Sequence, residues 1–129
     1  MPTPAIDPRS VLVVEDNPVL AESMAFALAA YGWTVIGPVA SGAAALEELA
    51  GGRFAMAILD VDLGKEMSFP IAEKLRSMAI PFIFLTGFVS HRDFPDGFQD
   101  EICLQKPVMP DALIQGLESL LTNGAVSES

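Results

Sequence analysis

Short apolar runs alternate with segments of helical periodicity along almost the whole chain, and this alternation is the feature that most constrains the fold. Runs that are wholly apolar indicate strands buried on both faces, as in parallel sheets. Alternating strands and helices imply right-handed crossovers, so we expect an α/β fold, a three-layer doubly wound sandwich around a five-stranded parallel sheet. The predicted strands are residues 11–14, 34–37, 55–59, 80–85 and 102–104.

Helix signals fall between these runs. Asn17, followed by Pro18, and Ser41 are suited to cap the first two helices. Residues 89–100 contain Pro95 and Gly97 and show no helical period, so we expect a short or mobile fourth helix there. The apolar positions expected to face the core are Leu20, Met24, Leu28 and Tyr31 in the first helix, Leu46 and Leu49 in the second, Ile71, Leu75 and Met78 in the third, and Leu113, Ile114, Leu117, Leu120 and Leu121 in a last helix over residues 111–121.

The chain length of 129 residues is that of one ordinary domain. We expect a single domain over residues 1–129, with a folded core of about 10–121 and loose tails at 1–9 and 123–129. Trp33, like the methionines at 24, 56 and 78, is expected to fill the core. Phe94 and Phe98 fit two interpretations, exposure to a partner or local packing.

Charge excludes some partner classes. Seven Lys and Arg against seventeen Asp and Glu give a formal charge of -10, which repels nucleic-acid phosphates and anionic lipids, so no nucleic acid or membrane partner is expected. Cys103 is the single cysteine, which is typical of a reducing compartment, and no apolar segment resembles a secretory signal. We expect a cytoplasmic protein.

Reactive side chains follow four of the five predicted strands. Glu15 and Asp16 follow the first strand, Asp60 the third, Thr86 the fourth and Lys106 the fifth. Sites in open parallel sheets form at the carboxyl ends of the strands. Three neighbouring carboxylates repel one another unless a cation lies among them, and oxygen ligands of this kind suit Mg²⁺. The sequence therefore predicts a magnesium and phosphoryl site.

The chemistry of such a site divides between these residues. Asp60, at the centre of the sheet, is the best-placed nucleophile and would form an acyl phosphate. Lys106 would neutralise charge on the transferring oxygens, and the Thr86 hydroxyl would donate a hydrogen bond to them.

The predicted site residues lie in four motifs: the acidic pair in VLVVEDNP, the aspartate in AILDVDLG, the hydroxyl in FIFLTG and the lysine in LQKPV. Together these motifs resemble those of the response-regulator receiver domains of two-component systems. The resemblance covers about residues 10–121. It implies the flavodoxin-like strand order 2-1-3-4-5.

The resemblance also implies residue roles. Asp60 would accept a phosphoryl group from a sensor histidine kinase or a histidine phosphotransfer protein, and Thr86 and Lys106 would bind phosphoryl oxygens. The Lys106-Pro107 bond would be cis. The protein would signal without being an enzyme, apart from slow autodephosphorylation. The magnesium ligands would be Glu15, Asp16, Asp60 and the backbone carbonyl of Asp62.

The chain departs from the usual receiver pattern in three places. Cys103 stands where most receivers carry a switching aromatic, and residues 62–66 replace the usual proline and glycine of the acceptor loop. Residues 81–88, PFIFLTGF, resemble a PFxFATGY subgroup of single-domain receivers. We hypothesise that Phe88 takes over part of the switching. Output would then occur through the face formed by residues 88–121, to a protein target, or the chain would act as a phosphate shuttle or sink.

Two alternatives stay open. Asp60 and Asp62 also match the DxD pattern of haloacid-dehalogenase-like phosphatases, although that pattern leaves Glu15 and Asp16 unexplained. A degenerate receiver acting only as a binding module is the other alternative. His91, the single histidine, is assigned no role.

Overall fold

The computed structural model describes residues 6–87, 94–98 and 100–127, with side chains described up to residue 122. Its sheet has five strands, every pair of neighbours is parallel, and the order is β2-β1-β3-β4-β5, which confirms the predicted fold. The strands are β1 (Ser10–Val14), β2 (Thr34–Val39), β3 (Met56–Asp60), β4 (Phe82–Thr86) and β5 (Cys103–Gln105). The helices are α1 (Pro18–Ala30), α2 (Gly42–Gly51), α3 (Phe69–Ser77) and α4 (Pro110–Ser127).

Alternate residues of the central strands serve two separate cores, one on each face of the sheet. Leu12 and Leu59 face the core shared with α2 and α3, whereas Val13 and Ile58 face the core shared with α1 and α4. Strands β1, β3 and β4 are buried along their whole length because helices cover both faces. The three-layer arrangement is therefore confirmed.

The helix caps follow the local sequence. The Asn17 side chain accepts hydrogen bonds from the backbone N–H groups of Val19 and Leu20, and Ser41 Oγ accepts one from Ala44. These contacts satisfy N–H groups that lack a partner within the first turn. Both predicted caps are confirmed.

Three positions predicted to face the core are exposed. Tyr31 follows the last residue of α1, and its hydroxyl donates to Asp111 at 3.2 Å instead of entering the core. On α2 it is Ala45 that is buried one turn before Leu49, which leaves Leu46 outside. Met78 lies beyond the end of α3 and is also exposed, whereas the other core-filling predictions, Trp33, Met24 and Met56, are confirmed.

Residues 7–9, which fall in one of the predicted tails, contact the folded part of the chain. Asp7 accepts hydrogen bonds from the Thr34 hydroxyl and, through its backbone carbonyl, from Ser10, and Arg9 lies over the Trp33 ring while pairing with Glu118. These contacts hold residues 7–10 against the sheet. At the other end, α4 continues to Ser127, past the predicted end at residue 121.

The segment between β4 and β5 is partly described. Residues 88–93 and 99 lie outside the described residues, and with them half of the region of the predicted fourth helix, as well as Phe88 and His91. Phe94 and Phe98 are buried and contact Phe69 and Phe84 edge-on or tilted, with ring centroids 5.2–5.8 Å apart. Local packing is thus the correct interpretation of the two rings, and exposure to a partner is wrong.

Within the described residues, no helix combines the length and apolarity that crossing a bilayer requires.

Candidate phosphoryl and metal site

The acidic residues predicted to converge do so at the carboxyl edge of the sheet. Glu15 directly follows β1, Asp60 ends β3, and these two strands are neighbours with Val14 opposite Leu59. One oxygen from each of Glu15, Asp16 and Asp60 can be chosen so that all three lie within 4.8 Å of one another. Glu15 and Asp60 are buried, with 1% and 3% of their surface exposed, while Asp16 is more open to solvent.

Lys106 reaches this cluster from the loop after β5. Its Nζ lies 2.8 Å from Oδ2 of Asp60 and 2.9 Å from Oε1 of Glu15. The Lys106-Pro107 bond is cis, as the resemblance to receiver domains implied, and the Lys106 backbone N–H donates to the Thr86 carbonyl at 2.8 Å. The ammonium is thereby held in direct contact with two buried carboxylates.

Burial and the neighbouring charges shift the pKa values of both Glu15 and Lys106. Burial, together with the neighbouring Asp60, raises the pKa of Glu15 to about 7 against the weaker opposing effect of Lys106. Burial also lowers the pKa of Lys106, but its two carboxylate partners outweigh that effect and the net shift is upward. One ammonium group thus faces three acids, which leaves the site with an excess of negative charge.

The donor set fits a divalent cation. The buried Oε1 of Glu15 contacts Lys106 Nζ at 2.9 Å, and because an ionised carboxylate has further lone pairs, Glu15 keeps acceptor capacity. The three acids face an open cleft of about 280 Å³, whose lining also includes Asn17, Asp62, Gly64, Gly87 and Lys106. Oxygen-only ligands beside a water-accessible cleft are the arrangement that Mg²⁺ prefers.

The remaining predicted site residues lie around this cleft. Asp62 donates its backbone N–H to Oδ1 of Asp60 at 3.2 Å, which is the carboxylate oxygen that Lys106 does not pair with. Thr86 is the buried last residue of β4. The Asp62 carbonyl as a ligand and the Thr86 hydroxyl as a phosphoryl contact stay predictions.

Of the two switch candidates, only Cys103 lies within the described residues. It is half-buried beside the core that α2 and α3 cover, opposite Phe84 in the β4–β5 register, and burial raises the pKa of its thiol. Its role in switching stays a prediction.

Sequence reasoning missed one residue of the cleft, Gly64, and one contact of the loop that carries it. In that contact Glu66, between β3 and α3, accepts a hydrogen bond at 3.1 Å from the backbone of Gly42, the first residue of α2. Gly64 has φ +86° and approaches Oδ2 of Asp16 so closely that a Cβ there would lie 3.1 Å from it. The glycine hinted at a special backbone conformation, but nothing in the sequence pointed to Glu66.

Comparison with known proteins agrees with this geometry. The family model of the response regulator receiver domain matches residues 11–118. The solution structure of SdrG from Sphingomonas melonis Fr1 is 38% identical, with a TM-score of 0.75 and 87% of this chain and 95% of that chain covered. A response regulator receiver protein from Sinorhizobium medicae WSM419 is 25% identical, with a TM-score of 0.78 and coverage of 88% and 94%. No curated protein sequence matches the chain.

Proposed function

Because the chain belongs to the response regulator receiver domain family, we propose that Asp60 accepts a phosphoryl group from a phosphohistidine in a magnesium-dependent reaction. The observation that supports this most is the placement of Lys106 Nζ 2.8 Å from Asp60, within the cluster formed by Glu15, Asp16 and Asp60. A cluster of this composition can bind a cation and a phosphoryl group together. The donor would be a sensor histidine kinase or a histidine phosphotransfer protein.

In the proposed transfer, a carboxylate oxygen of Asp60 attacks phosphorus. The new O–P bond forms as the P–N bond to the donor imidazole breaks, and the imidazole nitrogen keeps the electron pair of that bond. Lys106 and the Thr86 hydroxyl contact the phosphoryl oxygens, on which negative charge is spread. When bound, Mg²⁺ supplies Lewis-acid neutralisation of the same oxygens and of the acids. Glu15, Asp16, Asp60 and the Asp62 carbonyl would hold it.

Phosphorylation would act on the rest of the protein through Lys106 and Thr86. The Lys106 backbone already donates to the Thr86 carbonyl, so displacement of either residue is transmitted to the ends of both β4 and β5. A phosphoryl group adds nearly two negative charges beside them, which is enough to reshape adjoining loops. The proposed output is a protein contact on the face formed by residues 88–121, or transfer of the phosphoryl group onward as a shuttle or sink.

The structure of a similar protein indicates a reagent that can mimic the phosphoryl group. The solution structure of the BeF3-activated conformation of SdrG from Pseudomonas melonis Fr1 is 36% identical to this chain, with a TM-score of 0.73 and coverage of 88% and 96%. We propose that the same reagent mimics the phosphoryl group on Asp60 in this protein.

The phosphatase alternative is less well supported. In that mechanism Asp62 would act as the acid, but its Oδ1 accepts a hydrogen bond from the Gly64 backbone at 2.8 Å within its own loop. The chain belongs to the receiver family, and Glu15 and Asp16 lie in one cluster with Asp60. Both observations favour a protein that accepts one phosphoryl group over an enzyme that hydrolyses phosphate esters repeatedly.

Intact-mass measurement after incubation with acetyl phosphate tests the proposal. We expect the wild type to gain one phosphoryl group with Mg²⁺ and none with EDTA, and Asp60→Asn to gain none. Asp62→Asn is the matched control because it removes a carboxylate from the same cleft and keeps the Asp62 backbone carbonyl. We expect it to be phosphorylated. No mass gain in the wild type would support a degenerate receiver, and continuous release of phosphate that needs Asp62 would support a phosphatase.

A further inference from the structure

We propose that Glu66 is a positioning residue for the cation site, because it fastens the loop between β3 and α3 to the first residue of α2. The inference depends on the proposed magnesium site. It adds a residue that contacts neither the cation nor the phosphoryl group.

The contact lies between Glu66 and the start of α2. Oε2 of Glu66 accepts the Gly42 backbone N–H at 3.1 Å, and the capping Ser41 side chain binds Ala44 instead. The Gly42 N–H is one of the four at a helix start that have no partner within the helix. A carboxylate is stabilised there by the helix dipole as well as by the hydrogen bond.

Position 42 is shaped to receive this carboxylate. A Cβ at Gly42 would overlap Oε1 of Glu66. Gly42 is buried, and its φ lies outside the left-handed region, so an alanine there would meet no backbone strain. The absence of a side chain at position 42 is therefore explained by the space that the Glu66 carboxylate occupies.

Glu66 is connected to the acids through a compact loop. Its backbone carbonyl accepts the Leu63 N–H at 2.8 Å, and Asp62 and Met67 form an antiparallel bridge. Leu63 is buried in the core, so the loop is fixed at its middle as well as at its base.

The same loop contacts two of the acids directly. The Asp62 N–H donates to Asp60, and Gly64 lies against the Asp16 carboxylate. When the loop is fastened by Glu66, Asp62 and Gly64 are held at the distances that the cluster requires. Without this contact the loop has more conformations to lose on binding a cation, and affinity falls.

Titration with Mn²⁺ alone, followed by electron paramagnetic resonance in 0.15 M salt, tests this positioning. Mn²⁺ takes the same oxygen ligands as Mg²⁺. Outer residues that orient metal ligands typically contribute 10- to 100-fold in affinity, and for a contact made through a loop we expect Glu66→Ala to weaken binding by roughly tenfold. Glu66→Gln retains an acceptor oxygen and should stay within about threefold of the wild type.

Two further variants distinguish the effect of where the Glu66 carboxylate lies from the effect of its negative charge. Glu73→Ala removes one negative charge from an exposed site on α3 that forms no hydrogen bond or ion pair with the described part of the chain, and it should bind Mn²⁺ as the wild type does. Gly42→Ala keeps every charge but displaces the Glu66 carboxylate, so it should weaken binding as Glu66→Ala does. The double variant should be no weaker than either single variant, because both remove the same contact.

Amide hydrogen exchange without any metal gives a second measurement. We expect residues 62–65 to exchange faster in Glu66→Ala and Gly42→Ala, with thermal unfolding changed little. The inference is overturned if Glu66→Gln binds Mn²⁺ as weakly as Glu66→Ala, which would indicate charge alone, or if neither variant weakens binding. Failure of the wild type to bind Mn²⁺ at all would instead refute the proposed function.

Discussion

Replacing Glu15 with glutamine should change how stability depends on pH in the absence of divalent ions. The pKa of Glu15 is about 7 in the folded protein and 4.5 as the ordinary value. A carboxyl group with a raised folded pKa binds its proton more tightly in the folded state, so its stabilisation is fully present below pH 4.5. That stabilisation is lost as the pH rises through 7.

The expected change in the free energy of unfolding follows from the same pKa difference. One pKa unit corresponds to about 1.4 kcal/mol, so the wild type should lose up to about 3 kcal/mol of unfolding free energy, relative to Glu15→Gln, between pH 4.5 and pH 8. The glutamine cannot ionise, and its unfolding free energy should lack this component. His91 is present in both proteins, so its titration cancels in the difference.

Urea unfolding in EDTA, followed by the fluorescence of the single tryptophan, Trp33, measures this difference at pH 5, 6, 7 and 8. A parallel series with saturating Mg²⁺ should remove the loss at high pH, because the ionised carboxylate is the form that binds a cation. Parallel pH profiles for the wild type and Glu15→Gln in EDTA would refute the electrostatic description of the cluster.

Three further substitutions, one of them compared with a surface control, test separate parts of the structure. Lys106→Met leaves Asp60 without its ammonium partner, so unfolding free energy in EDTA at pH 8 should fall by about 2 kcal/mol, as measured by urea unfolding; an unchanged value would contradict the ion pair. Phe98→Ala should cost about 3 kcal/mol in the same assay because the ring is 2% exposed, whereas Phe26→Ala, 79% exposed, should stay within about 0.5 kcal/mol; equal costs would show that the packing is misassigned. Gly64→Ala should cost about 1 kcal/mol because its φ is +86°, and Mn²⁺ affinity should fall as Asp16 is displaced; wild-type affinity would contradict the close approach.

The alternation of strands and helices and the placement of the acids could be predicted because both follow from local signals, whereas the strand order was implied by the resemblance to receiver domains. Short apolar runs indicate buried parallel strands, and the carboxyl ends of parallel strands lie along one edge of the sheet. Glu15 and Asp60 therefore meet at neighbouring strands, and the long Lys106 side chain reaches them from the same edge. The strand boundaries shifted by one or two residues: β4 begins at Phe82, for example, because Ile80 still donates its N–H to the last turn of α3.

The features that sequence reasoning missed depend on tertiary contacts. Whether Leu46 or Ala45 faces the core is decided by the rotation of α2 against the sheet, which no local pattern specifies. The contact between Glu66 and Gly42 joins residues 24 positions apart and depends on the spacing of two loops. Likewise, the hydrogen bond between Asp7 and the Thr34 hydroxyl joins residues 27 positions apart and forms only in the folded sheet.

Borohydride trapping is the most direct test of the claim that Asp60 becomes an acyl phosphate. The reagent reduces an aspartyl phosphate to homoserine, and peptide mass spectrometry then locates the altered residue. After incubation with acetyl phosphate and Mg²⁺, we predict homoserine at position 60 alone, and none when EDTA replaces Mg²⁺. Homoserine at position 16 or 62, or an unmodified residue 60 in protein that has gained a phosphoryl group, would contradict the account.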